Sequence, residues 1–282
     1  MTELRQLSVV VPFYNEEENV RSTVAAIQQH IVPLVRDCEI LLVNDGSHDD
    51  TARICDELAA TDSHVRALHH AHNLGYGAAL RTGFAAARHP WIFYTDGDLQ
   101  FDLAEITRLL PLVEGADIVT GHRIDRQDPW HRRFNAGVYN TTMKVLFGVP
   151  CKDLDCAFKI YRKSIFDSIA TQSDGILISG EILVQAARQG LVIRDVGVTH
   201  LPRLKGTPTG NKPLVVLAAM TELAKFCWGQ MRQKPEPIRR SVAIATPAAL
   251  PSEGDRAPDL EAAAEVPHRR DVAAVGVAGH DQ

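Results

Sequence analysis

Apolar positions in the first hundred residues come in short unbroken runs, separated by stretches with helical spacing. Leu7–Phe13 (LSVVVPF) and Glu39–Asn44 (EILLVN) predict strands buried on both faces. Val65–His69 predicts a third strand, and Trp91–Thr95 (WIFYT) a fourth that runs directly into Asp96-Gly97-Asp98. Helical spacing fills the gaps over Val20–Ile31, Thr51–Ala60 and the glycine-opened Gly75–Arg88. Strands that alternate with helices in this way predict an α/β fold with a mostly parallel central sheet and helices on both faces.

The second half is less regular. Helices are expected over Leu103–Val113, Trp130–Phe147 and Glu181–Gln189, with strands over Asp117–Gly121 and Leu191–Val198. Asp153–Tyr161 reads as a strand-rich return with Asp153 and Asp155 on one face, and His200–Pro213 as a loop. A last helix is expected over Pro213–Gln233. From Lys234 onward prolines and alanines dominate and no aromatic residue follows Trp228, so 234–282 is expected to be a disordered tail.

Composition adds mostly exclusions. A net charge of −5 gives no sign of a nucleic-acid partner, which would call for a basic surface. The 5 cysteines are odd in number and form no C-x-x-C pair, so neither a zinc site nor a disulfide framework is expected. No basic-then-apolar leader opens the chain, and no apolar stretch reaches the length of a spanning helix. The expected setting is cytoplasmic.

Ligands of open α/β sheets bind beyond the carboxyl ends of the strands. Asn15, Glu16, Asp45 and Asp96 all fall there. Asp96-Gly97-Asp98 is the sharpest of these features, because two carboxylates flanking a glycine can turn toward one cation. Such oxygen ligands suit magnesium or manganese, with Gln100 and Asp102 as nearby polar groups. The bland alternative is a surface Asp-Gly turn. Asp45-Gly46-Ser47 can accept bonds from a ribose or base, or simply cap a helix. Asn73–Arg81 is glycine-rich but lacks both the dinucleotide fingerprint and the Gly-Lys-Ser/Thr of a phosphate loop. His69, His70 and His72 have spacing that suits no compact metal site. Arg123, Arg132, Arg133, Arg203 and Lys205 read either as a converging anion site or as solvated positions. Glu181 either approaches the reacting centre or caps its helix.

Taken together the segments VVVPFYNEEENV (9–20), LLVNDGSHDDT (41–51), NLGYGAALRTGF (73–84), YTDGDLQFD (94–102) and DLDCAFKIYRKSIF (153–166) resemble the inverting family-two glycosyltransferases of the GT-A fold. THLPRLKGTPTG (199–210) is a weaker match. Within that family the similarity is greatest to the polyprenyl-phosphate (dolichyl-phosphate type) sugar synthases. The resemblance implies one GT-A catalytic domain over 1–233, with donor contacts in about 7–110 and acceptor contacts in about 111–233. It implies that Pro12, Tyr14, Glu16, Asp45 and Asp96 line the nucleotide-sugar pocket. Asp96, Asp98 and Gln100 would hold a divalent cation, Mg2+ or Mn2+, and the diphosphate. Arg123, Arg132 or Arg133, and Arg203 would meet the phosphate of a polyprenyl acceptor. The implied reaction moves mannose or glucose from a nucleoside diphosphate at the cytoplasmic membrane face, with peripheral membrane contact through the last helix. The same donor chemistry with a soluble or polysaccharide-linked acceptor, and a non-catalytic nucleotide-binding role, are the alternatives. Tyr76 is a departure, standing where many relatives carry lysine.

Overall fold

The computed structural model describes residues 4–124, 130–203 and 221–229, with backbone alone for 130–135. Seven strands form one sheet: β1 (Gln6–Phe13), β2 (Asp37–Asn44), β3 (Val65–His69), β4 (Trp91–Thr95), β5 (Ile118–Ile124), β6 (Phe158–Arg162) and β7 (Ile193–Thr199). Their spatial order is β3-β2-β1-β4-β6-β5-β7. All neighbours run parallel except β6, which is antiparallel to both β4 and β5. The helices are α1 (Val20–His30), α2 (Thr51–Thr61), α3 (Tyr76–Ala86), α4 (Ile106–Leu109), α5 (Trp130–Phe147) and α6 (Ile178–Arg188). This is the α/β architecture that the alternating pattern predicts.

The apolar runs form strands because both faces are covered. In β1, Leu7, Val9, Val10 and Val11 are completely buried, each contributing roughly 1.5–3 kcal/mol of transfer free energy. α3 lies close on this sheet because Gly83 has no side chain: a Cβ there would stand 2.3 Å from Val10 Cγ1. From β1 the chain steps outward to β2 and β3, then returns to place β4 on the other flank of β1. The crevice at such a reversal of strand order is where open α/β sheets bind ligands, so the carboxyl ends of β1 and β4 define the site.

Two expected elements differ. Leu103–Val113 is no continuous helix but a 3-10 turn, the four-residue α4 and another 3-10 turn, Leu110–Leu112. Pro111 supplies no N–H and opens the second turn, which breaks the ladder. Asp153 and Asp155 do not alternate on a strand, since 151–157 is a turn-rich approach and β6 begins only at Phe158. β5 runs on past Gly121 to Ile124 and so carries Arg123. Segment 221–229, within the expected last helix, is helical. The rest of Pro213–Gln233, Lys205 and the expected tail 234–282 lie outside the described residues. Among the described residues, no helix is long and apolar enough to cross a membrane.

Candidate active site at the β1 and β4 strand ends

β4 ends at Thr95 and the chain turns at once through Asp96-Gly97-Asp98. The turn is pressed onto β1, because a Cβ on Gly97 would meet Phe13 Cε1 at 2.2 Å. α1 fixes it from the other side, as Thr23 Oγ1 donates to the Gly97 carbonyl at 2.9 Å. Leu99 follows with φ +56°, a left-handed conformation that is rare for a non-glycine residue. The Gln100 N–H donates to Asp98 Oδ1 at 3.2 Å.

The two aspartates face different partners. Tyr76 Oη, at the start of α3, donates to Asp96 Oδ1 at 2.8 Å. Burial, and then the neighbouring Asp98 charge, push the Asp96 carboxyl up to about 7. Asp98 Oδ2 receives Arg203 Nη1 at 3.3 Å, and the same guanidinium donates through Nη2 to Glu16 Oε1. Arg203 thus bridges the segment after β1 to the turn after β4. Its own segment is held there by Gln100, whose Nε2 donates to the Leu201 carbonyl at 3.3 Å while Leu201 N–H donates to the Gln100 carbonyl at 2.8 Å.

Asp45 follows β2 and is almost fully buried. Its Oδ1 accepts the Leu74 N–H at 2.9 Å and lies 2.7 Å from His70 Nδ1, and its Oδ2 accepts the Gly75 N–H at 2.9 Å. In this conformation the carboxylate holds the glycine-rich loop that leads to Tyr76. The opposite side of that loop touches 173–175, where a Cβ on Gly75 (φ +101°) would stand 2.4 Å from the Asp174 carbonyl oxygen. Arg81 is engaged there too, donating to the Ser173 carbonyl and to Asp174. Glu181 in turn accepts the Gln172 and Ser173 N–H groups at 3.0 Å, so it anchors this segment away from the paired aspartates.

The remaining candidates divide. Pro12 and Tyr14 are half-buried at the end of β1, with the Tyr14 ring edge-on to His48 at 6.4 Å. The segments after β1 and β2 are stitched together, since Asn15 N–H donates to Ser47 Oγ at 2.9 Å and His48 N–H to Asn15 Oδ1 at 2.8 Å. Arg123 makes a two-pronged pair with Asp153, at 2.6 and 2.9 Å. Arg132 and Arg133 lie on α5, but their side chains lie outside the described residues. A cavity of about 420 Å3 is lined by Asn73, Leu74, Asp174, Thr221, Glu222 and Lys225 among others. It borders the glycine-rich loop, and neither Asp96 nor Asp98 lines it.

Among the described residues, no group of three or more His, Cys, Asp or Glu side chains converges as a ready-made metal cage. Asp96 and Asp98 nevertheless fit a hard divalent cation. Their crowded negative charge, visible in the raised Asp96 carboxyl, is what a cation relieves, and Mg2+ or Mn2+ commonly completes its shell with waters and substrate phosphates.

Sequence reading passes over one residue in the neighbourhood. Lys159 is completely buried in β6, directly across from Tyr94 of β4. A lone lysine inside the apolar run of β6 was the available signal, since buried lysines are rare unless paired.

A family model described as "Glycosyl transferase family 2" matches residues 8–170. The chain is 31% identical over 170 residues to the undecaprenyl-phosphate 4-deoxy-4-formamido-L-arabinose transferase of Aeromonas hydrophila, covering 60% of this chain and 52% of that one. It is 30% identical over 252 residues to the glycosyltransferase AglD of Haloferax volcanii, covering 85% of this chain and 40% of that one. The chain thus spans about half the length of the curated relatives it matches. Among solved structures, glucosyl-3-phosphoglycerate synthase of Mycobacterium tuberculosis, in complex with Mn2+, UDP-glucose and phosphoglyceric acid, superimposes with a TM-score of 0.62 at 19% identity, over 80% of each chain. That likeness is one of fold.

Proposed function

Because the chain belongs to glycosyl transferase family 2, we propose that it transfers a hexose, mannose or glucose, from a nucleoside-diphosphate sugar to a polyprenyl phosphate with inversion. The observation that carries this reading is that Arg203 bridges Glu16 and Asp98, in the turn that Asp96 opens, where the strand order reverses. Residues 1–233 act as one catalytic domain, with the donor held by about 7–110 and the acceptor by about 111–233.

Pro12, Tyr14, Glu16 and Asp45 line the nucleotide side, Asp45 by fixing the glycine-rich loop. Asp96 and Asp98, with Gln100, hold the divalent cation, whose chemistry is to neutralise charge that develops on the departing diphosphate. An ionised phosphate monoester is already a nucleophile, so no strong general base is needed. Its oxygen bonds to the anomeric carbon while the bond to the diphosphate breaks, and the diphosphate leaves with the electron pair. Arg123 and Arg203, with Arg132 or Arg133, are the cations available to orient the acceptor phosphate. A lipid acceptor calls for membrane contact at the cytoplasmic face. α5 offers exposed Val138, Val145 and Leu146, and the 221–229 helix offers Trp228 at 59% exposure, as apolar surface for it.

The names of the curated relatives support the acceptor class, and the formamido-arabinose in those names differs from a hexose. The test therefore offers both kinds of sugar. The purified protein is incubated with UDP- and GDP-hexoses or UDP-4-deoxy-4-formamido-L-arabinose, Mn2+ and undecaprenyl phosphate, and products are identified by mass spectrometry. A hexosyl polyprenyl phosphate is expected. Transfer to a soluble sugar phosphate with none to the lipid would overturn the acceptor assignment, and transfer of the formamido-arabinose alone would overturn the hexose.

A further inference from the structure

Tyr94 is the penultimate residue of β4, two before Asp96, and pairing with β6 sets Lys159 directly beside it. The Lys159 ammonium is fully buried and has three oxygen partners for its three donors. It donates to the Leu154 carbonyl at 3.0 Å, to the Cys156 carbonyl, and to Tyr94 Oη at 3.4 Å. Tyr94 Oη also lies 2.7 Å from Ser179 Oγ on α6. From the start of α3, Tyr76 donates to Asp96. A buried cation bonded to Tyr94, two residues before Asp96, and the Tyr76 phenol bonded to Asp96 itself thus both bear on the carboxylate that follows β4. The same ammonium draws in the carbonyls of 154 and 156, and so sets the turn from which Asp153 grips Arg123.

We infer that Lys159, Tyr94 and Tyr76 are positioning residues: they seat the Asp96 carboxylate for the cation and tie it mechanically to the Arg123–Asp153 pair. This rests on the reading of Asp96 as a cation-holding carboxylate. A packing explanation accounts poorly for the arrangement, because a methionine would fill the volume of Lys159 without the desolvation that an ammonium demands. Partners of metal-binding groups orient the ligand, and their removal typically weakens metal binding by about 10- to 100-fold.

The test compares full-length wild type with Tyr76→Phe, Tyr94→Phe, Lys159→Met and Asp96→Asn. Mn2+ binding is measured by calorimetry with UDP present, alongside steady-state kinetics and thermal unfolding. Tyr76→Phe removes one oxygen and is expected to keep its unfolding temperature, bind Mn2+ about 10-fold more weakly, and lose kcat by a similar factor at unchanged acceptor KM. Lys159→Met is expected to show the same metal defect and, in addition, a raised acceptor KM, because the 154–156 carbonyls are released beside Arg123. Should Lys159→Met fail to fold, the two phenylalanine variants decide. Wild-type Mn2+ affinity in both, with Asp96→Asn impaired, overturns the inference and leaves the cation reading standing. Wild-type affinity in Asp96→Asn as well overturns the cation reading itself.

Discussion

Asp45→Ala separates a carboxylate that grips the nucleotide from one that builds the loop beside it. In the structure both Asp45 oxygens already accept bonds, two from the backbone N–H groups of Leu74 and Gly75 and one involving His70 Nδ1. The side chain is 4% exposed. An alanine leaves these partners without an acceptor in a place water reaches poorly, and each orphaned group costs about 1–3 kcal/mol. Partial rehydration of the loop recovers some of this, so a loss of about 3 kcal/mol is expected for the unliganded protein. With a urea slope of about 3 kcal/mol/M for a domain of this size, the unfolding midpoint falls by about 1 M. Equilibrium urea denaturation followed by far-UV circular dichroism reads it, with UDP affinity measured in parallel on the folded variant. Asp45→Asn keeps the shape but sets an amide against one of the donors, so it should lie between the two. An Asp45→Ala midpoint equal to wild type, with nucleotide affinity lost, would refute the loop-holding role and return Asp45 to direct ligand contact.

Further expectations follow from the turn after β4 and its partners. Gly97→Ala forces a Cβ to within 2.2 Å of the Phe13 ring. It should destabilise the fold by about 1–3 kcal/mol and abolish metal-dependent transfer, checked by thermal unfolding and product assay; an active, stable variant would contradict the close packing. Asp96, raised from 3.8 to about 7, binds more protons folded than unfolded between those values. Its contribution to stability is therefore present below pH 4 and lost as pH rises through 7. A cation favours the charged form, so Mn2+ binding should release a proton below pH 7 and tighten up to that pH, read by calorimetry in two buffers of different ionisation enthalpy. Zero proton release at pH 6 would contradict it. Arg203→Ala removes the guanidinium shared by Glu16 and Asp98. It should raise the KM for the lipid phosphate by about 10-fold, equivalent to about 1.4 kcal/mol, while Mn2+ binding without donor strengthens because a competing positive charge is gone. An unchanged KM would refute the acceptor role.

Local patterns carried most of the fold. The apolar runs of β1, β2 and β4 fall where periodicity puts them, because strands buried on both faces need no tertiary context to be recognised. Asp96 and Asp98 were legible for the same reason: a strand that runs straight into two carboxylates is a local event. What depends on distant partners was hidden. Nothing near Arg203 announces a bond to Glu16, 187 positions earlier, and nothing near Arg123 announces Asp153. The mistaken strand over Asp153–Ala157 has a nearer cause, since the amine of Lys159, a few residues on, draws two carbonyls of that stretch into a turn. Leu103–Val113 was misjudged on a local cue, for Pro111 stood in plain view.

One reversed strand reshapes what the molecule can become. Since β6 runs against β4 and β5, the end by which the chain enters it lies beside the end by which the chain leaves β4. The approach at 151–157 therefore lands beside the turn after β4, and it is packed there, with Cys151, Asp153, Leu154, Cys156 and Ala157 all buried. Residues added or deleted there would disturb that packing together with the Lys159 and Arg123 bonds, so changes of length at this edge are expected to be costly. A single change of direction thus fastens the rim of the proposed site to the interior of the sheet.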